Sequence, residues 1–524
     1  MPHLLSRVRD LRLDGNSLTI EDTFLAEKNR KKVSLSKSAA KKMERSRSLV
    51  EKWLVGGEVI YGVTTGFGEF ATVKIPHEKI KQLQVNLIRS HSAGTGDPLP
   101  ANIVRLIILL RANALAKGYS GVRPEVVQLL LEIFNLNLVP FIPEKGSVGS
   151  SGDLVQLAHL VLALIGEGSF IANGKLSPAE EVLRKHHLKP LELTAKEGLA
   201  LVNGTQMMGA FAVHCIYEAA QLAKIFDIVG ALSVEALRGT DVAFDARIHK
   251  LRPYHGQKVS AKNVRRLLVG SEIRKSHLHN DPRVQDAYSL RCMPQVHGAV
   301  RDTIEFCEKQ VNVEINSATD NPLIFADDRV HLEGGNFHGE PLALACDFLA
   351  IGLSEFASIS ERRTERMVNW QLSGLPKFLI EDGGLNSGMM IAQYTAASLV
   401  SENKVLSHPG SVDSIPTSAN QEDHNSMGSV SAQKCYRVLE NVWRVAAIEL
   451  LVACQAIDFS RRIGGDGTPL KCGGGTESVY QLVRTNIKHL DSDRVLYKDI
   501  EAALQLLKSG EVITAAEKVV GKLD

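Results

Sequence analysis

Residues 433–459 of the chain are QKCYRVLENVWRVAAIELLVACQAIDF. Apolar side chains recur through this stretch at helical spacing, and neither proline nor glycine interrupts it. Residues 342–363, LALACDFLAIGLSEFASISERR, repeat the pattern with a single glycine. Two uninterrupted patterns of this length predict a mainly α fold built on a bundle of long helices.

The regions before and after these stretches differ from them in composition and apolar pattern. Residues 106–110, LIILL, and 126–134, VVQLLLEIF, have the apolar density of buried helix, whereas residues 61–68, YGVTTGFG, form a glycine-rich turn. A short amphipathic tail runs from about residue 495 to residue 520. We predict a mixed N-terminal region at residues 1–200, followed by the helical bundle and a C-terminal helical region at residues 201–524.

Composition and charge limit the classes of partner. The chain has 524 residues, is 44% hydrophobic and carries 61 Lys and Arg against 59 Asp and Glu. It can bury a large core, and it lacks the basic stripe or acidic tail that nucleic acid or a membrane surface would require. Residues 1–10, MPHLLSRVRD, lack the apolar core of an export signal, and no later stretch approaches about 18 uncharged apolar residues. We expect a cytoplasmic protein with a small-molecule partner.

The cysteines and histidines give no sign of a metal centre. The seven cysteines are scattered without close pairs: Cys215, Cys292, Cys307, Cys346, Cys435, Cys454 and Cys472. This spacing argues against a zinc ribbon and against a secreted disulfide framework, and it fits a reducing cytoplasm. His277 and His279 have no recognisable ligand spacing to Asp281, so we expect no metal.

A small-Ser-Gly tripeptide, Ser150-Ser151-Gly152, lies in the run GSVGSSGDL at residues 146–154. If the Gly152 nitrogen attacks the carbonyl of residue 150 and two waters leave, Ser151 becomes a dehydroalanine inside a 4-methylidene-imidazol-5-one (MIO) ring. Such a ring is a carbon electrophile, which unmodified side chains do not supply. Taken alone, the tripeptide also fits an ordinary Gly/Ser loop.

Several other segments place polar groups among apolar neighbours. Tyr61 opens the turn at residues 61–68, and a tyrosine in a dry electropositive site can act as a base. His91 follows a helical pattern, so it should lie at a helix C-terminus, where an imidazolium is favoured. Further clusters occupy residues 203–206, 285–291, 334–339 and 420–424. Unpaired polar groups in an apolar setting are costly, so these clusters should bond to each other or to a ligand.

Taken in order, these segments resemble the MIO-dependent aromatic amino acid ammonia-lyase family, most closely its histidine ammonia-lyase (histidase) branch. The resemblance extends from Tyr61 to Met427 in eleven ordered blocks. It implies a largely helical fold, with a long central bundle and a smaller N-terminal region that carries the MIO loop. It also implies a homotetramer whose active sites combine residues from three subunits. Fumarase-like lyases share the long helices, but their Gly-Ser-Ser-x-Met-Pro-x-Lys loop is absent.

The resemblance assigns catalytic roles residue by residue. Ser150-Ser151-Gly152 would be the precursor of the ring, with Ser151 giving the methylidene carbon and no external cofactor. Tyr61 would remove the β-proton of the substrate, and Asn203 would hydrogen-bond the ring oxygen. Gln285 and Tyr288 would line and orient the reacting centre.

The resemblance also assigns the substrate contacts. Arg291 would bind the substrate carboxylate, and Phe337 would form an aromatic wall near the ring. His91 and Glu422 match the pair that histidine-acting members direct at the imidazole. The implied reaction is the non-oxidative deamination of L-histidine to trans-urocanate and ammonia.

Two positions depart from the family pattern. The first ring residue is usually alanine, so Ser150 could alter hydrogen bonding or cyclisation; we predict that the ring still forms because residue 150 supplies only backbone atoms. Residues 154–157, LVQL, also occur in some tyrosine lyases, whereas histidine lyases commonly have Leu-Ala-Pro-Leu. Glu422 favours histidine, because a carboxylate can pair with an imidazole N–H but would be unpaired beside a phenyl ring.

Two alternatives stay open. A tyrosine or phenylalanine ammonia-lyase or a 2,3-aminomutase could use the same scaffold. A non-catalytic helical oligomer is the remote alternative.

Overall fold

The computed structural model of the chain describes residues 10–172, 174–279, 281, 283–463 and 468–524. Residues 1–9, in which we found no export signal, lie outside the described part. Helix dominates the rest, and the prediction of a mainly α fold is confirmed.

The α-helices of the described residues are α1 (Ile20–Lys28), α2 (Lys37–Gly56), α3 (Ile80–His91), α4 (Ala101–Ala116), α5 (Pro124–Asn135), α6 (Leu154–Leu164), α7 (Ala179–Lys185), α8 (Glu197–Val202), α9 (Gln206–Ala236), α10 (Ala246–Leu251), α11 (His255–Leu267), α12 (Glu272–Lys275), α13 (Tyr288–Arg291), α14 (Met293–Glu314), α15 (Glu340–Val368), α16 (Trp370–Ser373), α17 (Met390–Leu406), α18 (Gly428–Ser460), α19 (Gly474–Asn486), α20 (Leu496–Lys508) and α21 (Glu511–Val520). The two long patterns at residues 342–363 and 433–459 form α15 and α18. The amphipathic tail is two helices, α20 and α21, because Gly510 between them adopts φ +79°.

The strands are short: β1 (Leu11–Leu13), β2 (Val33–Leu35), β3 (Thr95–Pro98), β4 (Val139–Pro140), β5 (Pro143–Lys145), β6 (Ser169–Ala172), β7 (Lys175–Pro178), β8 (Leu323–Phe325) and β9 (Val330–Leu332). β1 and β2 pair in parallel, with Leu11 opposite Val33. The pairs β3–β5, β4–β6, β6–β7 and β8–β9 are antiparallel. Strand β5 ends just before the loop that carries the tripeptide.

The chain divides into two compact units. The first comprises Met1–Tyr217, Cys307–Asp347 and Pro409–Gln433, and it contains every strand of the described residues. The second comprises Glu218–Phe306, Phe348–His408 and Lys434–Asp524. The linear division at residue 200 stays a prediction.

Buried charge joins the long helices within the second unit. The Glu449 carboxylate on α18 accepts hydrogen bonds from Ser233 on α9 at 2.6 Å and from Ser360 on α15 at 2.6 Å, and the Arg363 Nη2 donates to it at 2.8 Å. Each of the three side chains that contact Glu449 is fully buried. Since a buried charge is tolerated only when it is paired, these bonds fix the register of three apolar helices.

Helix α15 has the length and composition of a membrane span, with a mean hydropathy of 1.7 in its most apolar window. However, 67% of that window is buried inside the protein, as in the core helices of globular proteins. It is the one helix of the described residues that passes this test.

Candidate active site

Three helices of the first unit, α3, α6 and α8, pack against one another and bring their ends together. Helix α3 ends at His91, and α8 ends next to Asn203. Helix α6 begins at Leu154, directly after the tripeptide and Asp153. The sequence-predicted position of His91 at a helix C-terminus is confirmed.

The backbone around the tripeptide folds back tightly on itself. Ser151 and Gly152 are both left-handed, with φ of 51° and 86°. The Gly152 N–H donates to the Gly149 carbonyl at 3.2 Å, and the Gly204 N–H donates to the Ser151 carbonyl at 3.1 Å. The Asp153 N–H donates to the Gly204 carbonyl at 2.7 Å. The loop is therefore held from both sides by backbone hydrogen bonds.

Position 152 accepts no side chain. A Cβ placed there would lie 2.0 Å from the Gly204 oxygen, in addition to its unfavourable φ. The glycine that cyclisation requires is thus also the residue that this close approach of two backbone segments requires. The loop fits the precursor of an MIO ring.

Asp153 anchors the loop from behind. Its buried carboxyl accepts hydrogen bonds from the Met207 N–H at 2.8 Å, the Met208 N–H at 3.0 Å and the Ser429 hydroxyl at 3.0 Å. Burial raises the pKa of Asp153 to about 7, against the lowering effect of these three hydrogen bonds. The loop is therefore anchored by a buried carboxyl whose pKa lies well above its ordinary value.

Two cavities of about 460 and 400 Å³ open at the tripeptide. They share Tyr61, Gly68, Ser151, Asn203 and Glu422. The larger cavity is otherwise lined by Phe67, Phe70, Leu87, His91, Leu154, Leu199, Val202, Ser418 and Ala419. The smaller is otherwise lined by Ala71, Asn321, Glu333, Phe337, His338, Gln421, Asp423, His424 and Asn425. Six residues predicted from the sequence thus line one or both of these cavities: Tyr61, His91, Ser151, Asn203, Phe337 and Glu422.

Tyr61 is half-buried at the junction of the two cavities. Its Oη accepts a hydrogen bond from the Gly68 N–H at 3.1 Å, and its ring lies edge-on to Phe67. Because the oxygen accepts in this bond, its own hydrogen is not used there. The geometry leaves the phenolic oxygen able to exchange a proton with a bound molecule.

The Ser90 hydroxyl contacts one nitrogen of the His91 ring. The Ser90 hydroxyl donates its single hydrogen to the Leu87 carbonyl at 3.0 Å and lies 3.0 Å from His91 Nδ1. With the serine hydrogen on the Leu87 carbonyl, a neutral His91 ring donates from Nδ1 and accepts at Nε2. Burial lowers the pKa of His91, although the Leu87 carbonyl and the Glu422 charge act in the opposite direction. The end of helix α3 favours the protonated form of His91, but burial of the side chain disfavours it.

Glu422 closes a turn with Thr417. The Thr417 hydroxyl donates to Glu422 Oε2 at 2.6 Å, and the backbones of the two residues exchange hydrogen bonds of 3.0 and 3.3 Å. The residues between them include three consecutive left-handed ones, Ser418, Ala419 and Asn420. A left-handed side-chain-bearing residue persists only where its surroundings hold it, so the Thr417–Glu422 pairing fixes the position of this carboxylate.

Asn203 is held by a buried arginine that the sequence interpretation missed. Arg111 on α4 donates to the Asn203 carbonyl and to the Ala200 carbonyl, each at 2.6 Å. Burial lowers the pKa of Arg111 to about 10. The Asn203 amide donates to the Asn321 carbonyl at 3.1 Å, which leaves its second hydrogen for a ligand. A charge inside the apolar run of α4 was the signal that could have identified Arg111.

The LVQL departure at residues 154–157 has a structural explanation. Gln156 is fully buried, and its amide nitrogen lies 3.3 and 3.2 Å from the carbonyls of Pro143 and Glu144. It therefore ties α6 to strand β5, and it lines neither cavity.

Gln285, Tyr288 and Arg291 belong to the second unit and line neither cavity. Gln285 is exposed, and Tyr288 is 70% exposed. The Arg291 guanidinium carbon lies 4.6 Å from the centre of the Tyr288 ring, and its Nε is buried without a partner. The roles that the sequence resemblance gives to these three residues stay predictions. Within the described residues, no group of three His, Cys, Asp or Glu side chains could hold a metal ion.

Comparison with known proteins identifies the family. A family model described as aromatic amino acid lyase matches residues 18–485. The chain belongs to the aromatic amino acid lyase family. The resemblance inferred from the sequence motifs is thereby confirmed, and enzymes of this aromatic amino acid lyase family depend on an MIO group.

Similar relatives carry histidine ammonia-lyase names. The protein of that name from Caldanaerobacter subterraneus subsp. tengcongensis is 55% identical over 500 residues, which is 95% of this chain and 97% of the relative. The one from Alkaliphilus oremlandii is 50% identical over 513 residues, which is 98% of this chain and 99% of the relative.

Two solved structures of similar proteins differ in their reaction. Histidine ammonia-lyase from Trypanosoma cruzi superimposes with a TM-score of 0.89 at 44% identity, over 97% of this chain and 95% of that one. Tyrosine aminomutase from Streptomyces globisporus superimposes with a TM-score of 0.90 at 38% identity, over 97% of this chain and 99% of that one. Fold similarity therefore does not separate the two activities.

Proposed function

We propose that this aromatic amino acid lyase is a histidine ammonia-lyase, a carbon–nitrogen lyase that converts L-histidine to trans-urocanate and ammonia. The observation that carries the proposal is that His91 and Glu422 line the same cavity as Ser151 and Tyr61. The names of the relatives at 50–55% identity support the same substrate.

The hydrogen-bonding character of the cavity favours an imidazole. The Glu422 carboxylate, with Oε2 already bonded to Thr417, has Oε1 as a further acceptor, and a neutral His91 that donates from Nδ1 to Ser90 accepts at Nε2. An imidazole presents N–H donors to such acceptors, whereas a phenyl ring presents none. Burying an unpaired carboxylate beside a phenyl ring would cost roughly 1–3 kcal/mol or more.

Ring formation uses atoms of the tripeptide alone. The Gly152 nitrogen attacks the Ser150 carbonyl carbon, whose oxygen leaves as one water. Ser151 loses its hydroxyl and its Cα hydrogen as a second water. When formed, the MIO group supplies an electrophilic carbon for the amine of the substrate. The left-handed turn and the bonds to Gly204 hold the three residues folded back on themselves, which supports cyclisation at this tripeptide.

The other residues of the site bind the substrate and move its proton. Tyr61, in its deprotonated form, takes the β-proton at the oxygen that accepts from Gly68 and thereby becomes the neutral phenol. Asn203, held in place by Arg111, would donate its free amide hydrogen to the ring oxygen. Phe337 forms the aromatic wall of the smaller cavity.

The exposed residues of the second unit suggest a homotetramer with shared active sites. Gln285 and Tyr288 would orient the reacting centre of another subunit, and Arg291 would bind the substrate carboxylate there in a two-pronged manner. Inactive Tyr61→Phe and Arg291→Ala copies, unfolded together and reassembled, should regain part of the activity. Unchanged inactivity in an assembled mixture would exclude shared sites. We further propose that the enzyme is cytoplasmic.

The first test is the ultraviolet absorbance of the purified enzyme with L-histidine and, separately, with L-tyrosine. Urocanate alone would support the proposal. Coumarate alone would keep the lyase chemistry and replace the substrate. The second candidate, a 2,3-aminomutase, is favoured by the similarity to tyrosine aminomutase; it would show neither product, and a β-amino acid would appear by mass spectrometry.

A further inference from the structure

The side chain of Ser150, where the family usually has alanine, is part of a hydrogen-bonded chain that reaches Glu422. Ser150 Oγ lies 2.7 Å from Thr417 Oγ1 and 2.7 Å from Asn425 Oδ1. Thr417 in turn donates to Glu422 Oε2 at 2.6 Å. The ring-forming tripeptide and the carboxylate that faces the cavity are therefore connected through one threonine.

The direction of these bonds follows from proton counting. A carboxylate can only accept, so the single Thr417 hydrogen goes to Glu422. The Asn425 amide nitrogen donates to the Ile415 carbonyl at 2.6 Å, which orients its Oδ1 as an acceptor toward Ser150. The single Ser150 hydrogen is then shared between Asn425 Oδ1 and Thr417 Oγ1, since both atoms lie 2.7 Å from Ser150 Oγ and neither has a hydrogen to give to it.

The bonds of Ser150 are buried, so water cannot easily replace a partner that is removed. Ser150 is 9% exposed and Asn425 is 2% exposed, so water has little access to either. An alanine at position 150 would leave Asn425 Oδ1 without a donor and would remove the 2.7 Å contact between Thr417 Oγ1 and Ser150. An acceptor left unpaired in a buried site is unfavourable, and the turn that carries Glu422 would lose its support on this side.

We propose that Thr417 and Asn425 are positioning residues that couple the side chain at position 150 to the Glu422 carboxylate. Ser150 thereby sets the affinity of the site for the imidazole end of its ligand. The side chain of residue 150 stays outside the cycle when the ring forms, so the same bonds are available before and after cyclisation. The inference rests on the proposed histidine specificity.

The kinetic test uses Ser150→Ala, Thr417→Val and the double variant. Each single change should raise the KM for L-histidine about five- to tenfold with kcat within about twofold, because ground-state positioning is lost. The KM of the double variant should not exceed that of the single variant with the higher KM, since both changes break the same chain of hydrogen bonds. Multiplying effects of the two changes would overturn the coupling.

Ser147→Ala is the matched control. Ser147 lies in the same loop, and its hydroxyl accepts from the Val155 N–H at 3.1 Å instead of contacting Thr417. Its KM effect should multiply with that of Thr417→Val. Intact mass should show two waters lost in every variant; a Ser150→Ala protein that keeps both waters would assign Ser150 to cyclisation and overturn the positioning role.

Crystal structures of the wild type and Ser150→Ala give a readout that needs no turnover. We expect the Thr417–Glu422 bond to lengthen beyond hydrogen-bond distance or to split into two conformers in the variant. An unchanged bond would overturn the inference. If the wild type makes no urocanate, the proposed substrate fails, while this comparison still decides whether Ser150 positions Glu422.

Discussion

Position 152 requires glycine for two reasons, its left-handed backbone angle and the close approach of Gly204. Comparing Gly152→Ala with a second glycine-to-alanine change separates the two. Gly152 has φ +86°, and a Cβ there would lie 2.0 Å from the Gly204 oxygen. Gly57, at the C-terminus of α2, has φ +75° with no atom within 4 Å of a Cβ. Gly57→Ala therefore measures the cost of the backbone angle alone.

The expected magnitudes differ because of the clash. A left-handed alanine costs about 1–2 kcal/mol, which should be the whole effect at position 57. At position 152 the Gly204 carbonyl must also move, which breaks the 2.7 Å bond from the Asp153 N–H. An unpaired buried donor and the overpacking each add about 1–3 kcal/mol. Gly152→Ala should thus lower the free energy of unfolding by roughly 3–8 kcal/mol.

Urea unfolding, followed by circular dichroism, should be measured in a Ser151→Ala background, in which no ring can form and all variants share one covalent state. Gly152→Ala should unfold at much lower urea than Gly57→Ala, or fail to fold. Equal midpoints for the two variants would refute the close approach of Gly152 to Gly204. With Ser151 restored, intact mass should show that Gly152→Ala retains both waters.

Three further predictions concern chemistry and pH. Ser151→Ala should fold and assemble but lose nearly all activity, because it removes the methylidene without opening a large cavity; near wild-type turnover would contradict the mechanism. Glu422→Gln should reduce kcat/KM for L-histidine about 10- to 100-fold while changing any tyrosine turnover less, since an amide pairs less strongly with an imidazole N–H; an unchanged preference would remove the role of Glu422. Burial raises the pKa of Asp153 from 3.8 to about 7, so between these values the unfolded chain releases a proton that the folded chain keeps. The free energy of unfolding should therefore fall by roughly 4 kcal/mol as the pH rises through this window, and Asp153→Asn should lack this loss. Parallel pH profiles of the two proteins in urea would contradict it.

The parts of the fold that follow from local pattern were predictable. The apolar periodicity of α15 and α18 and the helix that ends at His91 are local features, because each depends on residues within a few turns of one another. The division of the tail into α20 and α21 was missed, although Gly510 marks it.

Contacts between distant segments were not predictable from pattern. Arg111 reaches Asn203 across 92 positions, and Ser150 reaches Thr417 across 267. Serine and threonine are common in loops, so neither residue type signals a partner. Family resemblance supplied the site residues and made Ser150 part of the ring precursor, but it gave the Ser150 side chain no role, because the family pattern has no hydroxyl at that position.

The hydrogen bonds that shape the tripeptide loop also require that synthesis and folding of the chain come before ring formation. The Val148 carbonyl accepts from the Met427 N–H at 2.9 Å, and Ser150 bonds to Asn425. A ribosome must therefore have released most of the chain before the loop can take its final shape. The ring that we propose can form only in a chain that has already folded. Each molecule that carries the ring in a purified sample must therefore have reached the native fold.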